Sequence, residues 1–389
     1  MVKRLKTWDQ RVDYSLLLPV FFLLVVGLLS VYVATLTDYP DRLENVLLLQ
    51  GLWLLLGCLA AFVVMFFNTK FLWKVTPWLY ALGLAAMFLP LFFYSPSLYA
   101  ATGAKNWVTI RNVTLFQPSE FMKIAYILAL ARATVSFQKK ASKEIKDDWK
   151  LLGLYSLITL PVLALLAVQK DLGTALVFLA ILAGVVVLSG ISWKILLPIL
   201  VVIALSGAGF LALFSWEQGR EWLFNLGMDT YQINRISAWL DPFAYATGIA
   251  YQQTQGLISI GSGGLLGKGF NVVELSVPVR ESDMIFTVIG ENFGFVGSAL
   301  VLGAYLWLFY RMLRITLESN NRFYTFIAVG FIMMILFHVF ENVGAALGVL
   351  PLTGIPLPFI SQGGSSLISN LIGVGLILSM AYHNNFGKQ

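Results

Sequence analysis

The sequence predicts an all-α membrane protein with about ten transmembrane helices, and three observations predict it. Of the 389 residues, 58% are hydrophobic and 12% are charged, whereas soluble domains carry roughly 25% charged residues. Several apolar segments reach the roughly 20 residues that cross a bilayer as a helix. Basic residues also concentrate in alternate connecting segments, as they do in proteins that cross a membrane repeatedly.

Ten apolar segments are candidates for membrane spans. Each should be helical, because backbone polar groups that face lipid have no partner outside their own segment. The first follows the basic stretch MVKRLKTWDQR and is too long for the apolar core of a signal peptide, so we expect it to be retained. No linker or charged tail marks off a soluble domain, so we expect residues 1–389 to form one membrane domain. The predicted spans cover residues 14–36, 46–67, 75–95, 118–137, 151–169, 172–191, 195–216, 284–310, 323–346 and 364–382.

The basic residues predict which loops are cytoplasmic. Most of the 26 lysines and arginines fall before the first span, in alternate loops and after the last span. Cytoplasmic loops carry this excess, so we expect both termini inside the cell. The net charge of +6 then reflects membrane orientation, and we expect no nucleic-acid partner. The residues assigned to the cytoplasmic side are Lys3, Arg4, Lys6, Arg11, Lys70, Lys74, Arg132, Lys139, Lys140, Lys143, Lys146, Lys150, Lys194, Arg311, Arg314, Arg322 and Lys388.

Two connections on the opposite, outer side are candidates for function. One covers residues 96–117, and the other is a long extracellular loop of about residues 217–282 between spans seven and eight. Connections of this length are usually either functional or disordered. Because the longer loop contains Trp222, Trp239 and Tyr251, we expect it to fold onto the membrane surface. Prolines and glycines within residues 351–364 indicate a re-entrant turn before the last span.

The outer cations need an explanation, since this side is normally poor in positive charge. A phosphate or pyrophosphate group is a ligand that arginine suits; the alternative is contact with lipid headgroups or ion pairs with Asp241 and Glu281. The nearby glycine-rich stretch ISIGSGGLLGKGF lacks the spacing of a nucleotide P-loop. It forms either a tight turn or a close backbone approach to a substrate. The outer cations are Arg220, Arg235, Lys268 and Arg280.

Ionisable residues inside the predicted spans are functional candidates, because they are costly to place in lipid. Glu120 and Lys123 are three residues apart on one helix, so their side chains can pair; this fits either a structural or a functional ion pair. Glu291 and Glu341 are candidates of the same kind. The lone His338 is expected to be a hydrogen-bonded core residue.

Two aspartates lie at the outer ends of predicted helices. We expect Asp171 to cap span six or to anchor its packing. Asp283 either caps span eight or acts as a general base. With one cysteine, Cys58, and two histidines, we expect neither a disulfide nor a metal site built from Cys or His. Cys58 itself is expected to be a small core residue.

Seven segments, taken in order, resemble the signature segments of the SEDS family, which includes RodA, FtsW and SpoVE, and they are most similar to RodA, the rod-shape elongation enzyme. The resemblance extends from span one through span ten. It implies a peptidoglycan glycosyltransferase that polymerises lipid II at the outer face of the bacterial cytoplasmic membrane. A class B penicillin-binding protein would cross-link the glycan, alongside other elongation-complex membrane proteins. The segments are GAKNWVTI, FQPSEFMK, QKDLGTAL, YQINRISAWLDPF, GLISIGSGGLLGKGF, ESDMIFTVIGENFGFVG and LPLTGIPLPFISQGGSS.

The resemblance also implies site residues. The family's essential aspartate falls on Asp283, and the aspartate of its DLGT segment falls on Asp171. Its paired charges in span four fall on Glu120 and Lys123. The chain departs from many family members at three further positions, which leaves the contacts with the substrate headgroup open. These positions are Lys170, Asn292 and Gln362, where proline, glutamate and tyrosine are common.

The implied reaction is an inverting glycosyl transfer. Asp283 would take the proton from the 4-hydroxyl of the acceptor N-acetylglucosamine, and that oxygen would attack the anomeric carbon of the donor. An α-linked donor and a β-1,4-linked product require a single inversion. Arg235, Lys268 and Arg280 would stabilise the leaving pyrophosphate, with or without a divalent cation, Mg2+ or Mn2+.

A lipid II flippase is the alternative function. Ten spans with ionisable side chains inside them would also suit a transporter, in which midplane charges mark the transport path. Transporters often show repeated halves with broken helices, and the sequence shows no such repeat. The long charged loop on one face favours a reaction at a single membrane surface. The charges in question are Glu120, Lys123, Glu291 and Glu341.

Overall fold

The computed structural model describes residues 12–111, 113–142, 144–228 and 230–387. The cytoplasmic candidates Lys3, Arg4, Lys6, Arg11, Lys143 and Lys388 lie outside the described residues. In chain order the elements are α1 (Tyr14–Asp38), a 3₁₀ turn (Pro40–Arg42), α2 (Leu43–Met65), α3 (Thr69–Met87), α4 (Leu89–Phe92), α5 (Pro96–Thr102), β1 (Val108–Ile110), β2 (Val113–Phe116), α6 (Pro118–Gln138), α7 (Ile145–Gln169), α8 (Leu172–Ser189), α9 (Trp193–Phe214), α10 (Glu217–Asn225), α11 (Thr230–Leu240), α12 (Tyr251–Ser262), α13 (Ile285–Leu317), α14 (Arg322–Ala346) and α15 (Gly364–Gly387).

A long helix lies at each of the ten predicted spans within the described part of the chain. Nine of these helices are long and apolar enough to cross a membrane. The other one, α6, carries Glu120, Lys123 and Arg132, and most of its residues are buried among the neighbouring helices. The predicted all-α membrane class is therefore confirmed. The count of ten crossings stays a prediction, because α6 is not apolar along its whole length.

Helices α6, α14 and α15 form the centre of the bundle. α14 packs against α6 and α8, α15 packs against α2 and α6, and α1 lies along α13. α2 and α9 are exposed along most of their length. Helices with exposed apolar surfaces of this kind face lipid. Polar side chains therefore lie in the buried centre of the bundle, and the outer helices surround them with apolar surface.

Contacts at the helix ends define the two ends of the bundle. At one end, Arg311 of α13 pairs with Asp13, before α1, at 2.5 Å. At the other end, the Gln169 side chain of α7 donates to the Met87 carbonyl oxygen at 2.6 Å, and the Lys105 N–H donates to the Gln169 carbonyl oxygen at 2.8 Å. The first end carries predicted cytoplasmic residues and the second carries a predicted outer loop, so the packing agrees with the loop alternation inferred from charge.

The outer connections contain more regular structure than the sequence indicates. Residues 96–117 include α5 and a two-stranded antiparallel hairpin of β1 and β2, an exception to the all-α prediction. The long loop contains α10, α11 and α12, and α12 packs against α13 and α14, so the loop is folded; its placement on the membrane surface stays a prediction. Residues 351–363, which we call the strap, are largely non-helical, and most of their apolar side chains, those of Ile355, Leu357, Phe359 and Ile360 among them, are buried. Such backbone is tolerated in a membrane protein only where protein surrounds it.

The contact between α2 and α15 is close because α15 carries a glycine there. A Cβ atom added at Gly375 would lie 2.7 Å from the carbonyl oxygen of Ala61 and 2.8 Å from its Cα atom. Small residues at helix contacts in membranes permit this approach. Cys58, in contrast, is exposed on α2, so the expectation that it is a core residue is wrong.

Replacing Gly375 by Ala should destabilise the folded protein by about 1–3 kcal/mol, because the added methyl group must displace the backbone of α2. Gly303→Ala in α13 is the matched control, since nothing lies within 4 Å of its added carbon. The control should be neutral or slightly stabilising, because alanine favours a helix over glycine. Thermal unfolding midpoints of the two variants in the same detergent provide the measurement, and equal midpoints would contradict the close contact.

Candidate active site

Asp283 lies at the end of the long outer loop, just before α13 begins at Ile285. The residue at the N-cap of α13 is Met284, and no side chain makes a capping hydrogen bond there. The alternative that Asp283 caps this helix is therefore wrong. The residue is 9% exposed, and its Oδ1 accepts a long hydrogen bond of 3.4 Å from the Gln252 side chain of α12. The carboxylate is thus largely buried, and it does not cap the helix that follows it.

The side chain of Asn342, on α14, fixes the backbone around Asp283. Its Nδ2 donates one hydrogen bond to the carbonyl oxygen of Asp283 and one to the carbonyl oxygen of Ile355, each at 2.8 Å. Buried backbone oxygens need such partners where the chain is not helical. One amide group therefore joins the start of α13, the strap and α14.

The strap also runs along the residues that precede Asp283. The Ser361 hydroxyl donates to the Ser282 carbonyl oxygen at 2.6 Å, and the Gln362 N–H donates to the Glu281 carbonyl oxygen at 2.8 Å. These hydrogen bonds pair the two non-helical segments with each other. The position of Asp283 is thus set by the strap as well as by α13.

Arg235 of α11 is an outer cation that faces Asp283. Its Nη1 donates to the Leu352 carbonyl oxygen, in the strap, at 2.8 Å. Burial raises the pKa of Asp283 from 3.8 to about 6, and it outweighs the opposing effect of the Arg235 charge, which lowers that pKa. A carboxyl group with a pKa close to neutral is suited to general base catalysis.

Two residues near Asp283 adopt backbone conformations that residues other than glycine rarely adopt. Val279, in the loop before Asp283, has φ of 53°, and Phe359, in the strap, has φ of 67°. Each such residue costs about 1–3 kcal/mol, and it persists only where its surroundings fix it. Both belong to the two segments that hold Asp283, as is common at functional sites.

Arg280 and Lys268 pair with Glu291 of α13 instead of facing Asp283. The Glu291 carboxylate is fully buried and lies 3.0 Å from Lys268 Nζ and 3.6 Å from Arg280 Nη1. Arg280 is also fully buried, lies 4.0 Å from the Asp38 carboxylate and donates to the Leu275 carbonyl oxygen. Ion pairing, which the sequence left open, is therefore the role that the geometry gives these two cations. The partners differ from the expected Asp241 and Glu281.

The glycine-rich stretch forms a tight turn against a break in α13. The N–H groups of Lys268 and Gly269 donate to carbonyl oxygens of α13 at 2.9 and 3.2 Å, and the N–H groups of Phe295 and Val296 donate back to the glycine-rich stretch at 2.9 and 3.0 Å. Gly294, with φ of 61°, breaks α13 at this point. These N–H groups are engaged within the protein, which favours the structural alternative over a substrate contact.

Glu120 and Lys123 form a buried ion pair at 2.9 Å on α6. His338 of α14 joins it, with Nε2 at 3.0 Å from Lys123 Nζ and Nδ1 at 2.7 Å from the Met334 carbonyl oxygen. Because a carbonyl oxygen only accepts, Nδ1 carries the proton and Nε2 accepts from Lys123. His338 is therefore the hydrogen-bonded core residue that the sequence predicts. Substrate binding by Glu120 and Lys123 stays a prediction, since the two charges are already paired.

Asp171 caps α8, as the sequence predicts. Its Oδ1 accepts from the Thr174 N–H at 3.0 Å. Its Oδ2 accepts from the Thr174 hydroxyl at 2.9 Å, from Asn106 at 2.7 Å and from Gln117 at 3.3 Å. The carboxylate thus ties the outer connection 96–117 to α8. These donors occupy it, and substrate binding by Asp171 stays a prediction.

Neither a metal cluster nor the cavity at the other end of the bundle competes with Asp283 as the site. Among the described residues, no group of three or more His, Cys, Asp or Glu could hold a metal ion. A cavity of about 790 Å³ is lined by Lys139, Arg322 and their neighbours on α3, α6, α14 and α15. It lies at the predicted cytoplasmic end and contains none of the predicted site residues. The cluster around Asp283 is therefore the candidate active site.

The sequence did not predict three polar residues of this site. Gln252 lies in the long loop, and Thr353 lies in the strap, where its N–H and hydroxyl donate to the Glu341 carboxylate. Polar residues are ordinary in such connections. Asn342 carried a usable signal, since a primary amide inside an apolar span needs a partner, and it directly follows the candidate Glu341. Its partners, however, are backbone oxygens 59 and 13 residues away, which spacing alone does not reveal.

Comparisons with known proteins agree with this architecture. Residues 14–386 match the family described as "Cell cycle protein", whose members are FtsW, RodA and SpoVE. The chain is 29% identical over 380 residues to Stage V sporulation protein E of Bacillus subtilis, covering 96% of this chain and 98% of that protein. It is 35% identical over 288 residues to the peptidoglycan glycosyltransferase MrdB of Escherichia coli, covering 72% of each.

Solved structures also share this fold. One chain of a peptidoglycan synthase complex, described as coordinating polymerization and crosslinking, superposes with a TM-score of 0.76 at 29% identity, covering 96% of this chain and 98% of that one. The rod shape determining protein RodA of Thermus thermophilus superposes with a TM-score of 0.65 at 29% identity, covering 95% of this chain and 96% of that one.

Replacing Glu291 by Gln should destabilise the protein by about 3–5 kcal/mol, because it removes the buried negative charge next to Arg280 and Lys268. Glu274→Gln is the matched control: Glu274 pairs with the same Lys268 at 2.8 Å, but its side chain is 65% exposed. The Glu274→Gln variant should lose no more than about 1 kcal/mol of stability. Thermal unfolding in detergent compares the two, and an equally small effect of both would contradict the buried cluster as a stabilising contact.

Proposed function

The chain belongs to the FtsW, RodA and SpoVE family and is a peptidoglycan glycosyltransferase, and from this premise we propose that Asp283 is the general base of its reaction. The enzyme is a multi-pass protein of the bacterial cytoplasmic membrane. Relatives named Stage V sporulation protein E, FtsW and MrdB all match at 29–35% identity. The particular similarity to RodA, and with it a role in elongation, therefore stays a prediction.

The proposed substrate is lipid II, a disaccharide-pentapeptide carried on undecaprenyl pyrophosphate. Asp283 takes the proton from the 4-hydroxyl of the acceptor N-acetylglucosamine while that oxygen bonds to the anomeric carbon of the donor N-acetylmuramic acid. The bond from this carbon to the pyrophosphate breaks in the same displacement, and the pyrophosphate leaves with the bonding electrons. The configuration inverts from α to β, and the product is a β-1,4-linked glycan.

Asp283 is the carboxylate best placed for this role. Burial raises its pKa to about 6. Asn342 Nδ2 donates to its carbonyl oxygen at 2.8 Å, and its side chain does not cap α13. Asp171, in contrast, is occupied by the donors around it. Glu281 is the competing base, since burial also raises its pKa, and it provides a control variant for the assignment of Asp283.

Arg235 is the cation that we assign to the leaving pyrophosphate. It faces Asp283 from α11 and is fixed to the strap by its bond to Leu352. A positive charge at the departing oxygens stabilises the transition state more than the ground state. Lys268 and Arg280 are not assigned to the pyrophosphate, because Glu291 pairs with both.

A divalent cation, Mg2+ or Mn2+, would supply the same charge stabilisation to the pyrophosphate when bound. The carboxylates of Asp283 and Glu341 both face Arg235, and oxygen donors of this kind suit such ions. These carboxylates are the residues that would hold the ion, together with the oxygens of the substrate pyrophosphate.

A class B penicillin-binding protein is the proposed partner. The solved structure with TM-score 0.76 is part of a complex that combines polymerization with crosslinking. A polymerase whose site lies at the outer membrane face delivers its glycan to that same face, where a transpeptidase can cross-link it. Association with other elongation-complex membrane proteins is proposed on the resemblance to RodA.

A lipid II flippase is the second candidate, and the buried Glu120, Lys123 and His338 cluster favours it. Charges inside a membrane bundle commonly mark a transport path. The cluster is, however, internally paired, and the site around Asp283 lies at one end of the bundle. Polymer made by the purified protein in detergent, where no transport can occur, distinguishes a polymerase from a flippase.

Replacing Asp283 by Asn should reduce lipid II polymerisation by at least about 10²-fold, because the amide keeps the shape of the side chain but cannot take the proton. The variant should fold normally, since its contacts with Gln252 and Asn342 can persist. Gel separation of glycan strands made from labelled lipid II measures the rate. Thermal unfolding of the same preparation confirms that the variant is folded.

Glu281→Gln is the control for the Asp283 variant, because it removes the neighbouring carboxylate and should leave most of the rate. A folded Asp283→Asn protein that polymerises at the wild-type rate would end the assignment. Loss of activity in the Glu281 variant alone would transfer the role of base to Glu281.

A further inference from the structure

We propose that Glu341 is a positioning residue for glycosyl transfer, because its carboxylate holds Thr353 and thereby keeps the strap against Asp283. This inference rests on the proposed role of Asp283 as the base. Glu341 acts through the strap, so it does not have to touch the substrate. Its site is the outer end of α14, one residue before Asn342.

The Glu341 carboxylate accepts hydrogen bonds from one residue of the strap, Thr353. It is 3% exposed, and its Oε1 accepts hydrogen bonds from both the backbone N–H of Thr353, at 3.1 Å, and the Thr353 hydroxyl. A buried carboxylate in a membrane-spanning helix is costly. An apolar side chain would avoid this cost but would remove the acceptor for both Thr353 donors. The contact with Thr353 therefore accounts for a residue that packing alone would disfavour.

Fixing Thr353 also fixes the next residue, Gly354, which lies beside the carboxylate of Asp283. A Cβ atom placed on Gly354 would be 3.7 Å from Asp283 Oδ2, so the strap backbone borders the proposed base on that side. Gly354 has φ of 82°, a conformation that favours glycine. A displaced Thr353 would therefore shift the backbone that borders the base.

Three side chains hold this part of the strap, each at a different residue. Arg235 donates to the carbonyl oxygen of Leu352, and Asn342 donates to that of Ile355. Glu341 accepts from Thr353, which lies between them. Of the two on α14, Asn342 also binds the backbone of Asp283 directly, whereas Glu341 contacts the strap. Removing Glu341 therefore tests the placement of the strap while the direct support of Asp283 remains.

The expected effect of losing this contact falls on turnover. Displacing a reacting group by about 1 Å can cost about 10²-fold in rate, and a Cβ atom added at Gly354 would already be in van der Waals contact with the base. Glu341→Ala should lower kcat for lipid II polymerisation by about 10–100-fold with little change in KM, since an interaction that matters in the transition state changes kcat. Glu341→Gln should restore most of that loss, because its amide oxygen can accept both Thr353 hydrogen bonds.

Four variants of the full-length enzyme test the proposal in the lipid II assay. They are Glu341→Ala, Glu341→Gln, Thr353→Val and the double variant E341A/T353V. Thr353→Val removes the hydroxyl bond and should give a smaller loss of kcat than Glu341→Ala. The double variant should be no slower than Glu341→Ala alone, because both changes remove the same contact. Thr325→Val is the matched control: its hydroxyl bonds the Asn321 carbonyl oxygen at the other end of α14.

A purely structural role would lower the thermal unfolding midpoint of Glu341→Ala and Thr353→Val without changing kcat of the folded fraction, and that result would overturn the proposal. Losses that multiply in the double variant would also overturn it. If Glu341→Ala does not fold, Thr353→Val measured against Thr325→Val decides. A polymerising Asp283→Asn protein would instead overturn the proposed function, so the two failures are distinguishable.

Discussion

The two hydrogen bonds of the Asn342 amide are the interaction on which the site depends. They join the backbone of Asp283 to that of Ile355, each at 2.8 Å, and so fasten two non-helical segments to the buried helix α14. Each segment contains a non-glycine residue with positive φ, a conformation that persists only where the surroundings fix it. A central helix thus supplies rigidity to a site built from loop and strap, which is what precise placement of a base requires.

Charges buried in the apolar bundle are organised into separate paired groups, each joining several elements. Glu291 holds Lys268 and Arg280 where the outer loop meets α13, and Lys123 with its partners joins α6 to α14. Each group is tolerated because its opposite charges are paired within the protein. Around Asp283 the match is less complete: a buried carboxylate accepts one long bond from Gln252 and faces Arg235. Asp283 is thus held by fewer donors than the carboxylates of Asp171 and Glu291.

The fold could be predicted from the sequence more fully than the site. Apolar length and loop charge placed all ten long helices, since a bilayer leaves the chain few alternatives. Motif resemblance placed Asp283, and local helix chemistry placed the Asp171 cap. Partners distant in sequence were not predictable, in contrast to the neighbouring pair Glu120 and Lys123. Arg280 lies against Asp38, far away in sequence, and the outer cations cannot be told apart until the packing assigns each a carboxylate. The strap was indicated only as a turn, because its supports come from α11 and α14.

The pH dependence of polymerisation by the wild-type enzyme tests the central role of Asp283 most directly. Burial raises the pKa of this carboxyl from 3.8 to about 6, so the base is ionised above that pH and protonated below it. The account predicts that kcat/KM for lipid II is level above about pH 7 and falls by about tenfold per pH unit below about pH 6. A rate that stays level down to pH 5, in protein shown to be folded there, would contradict it.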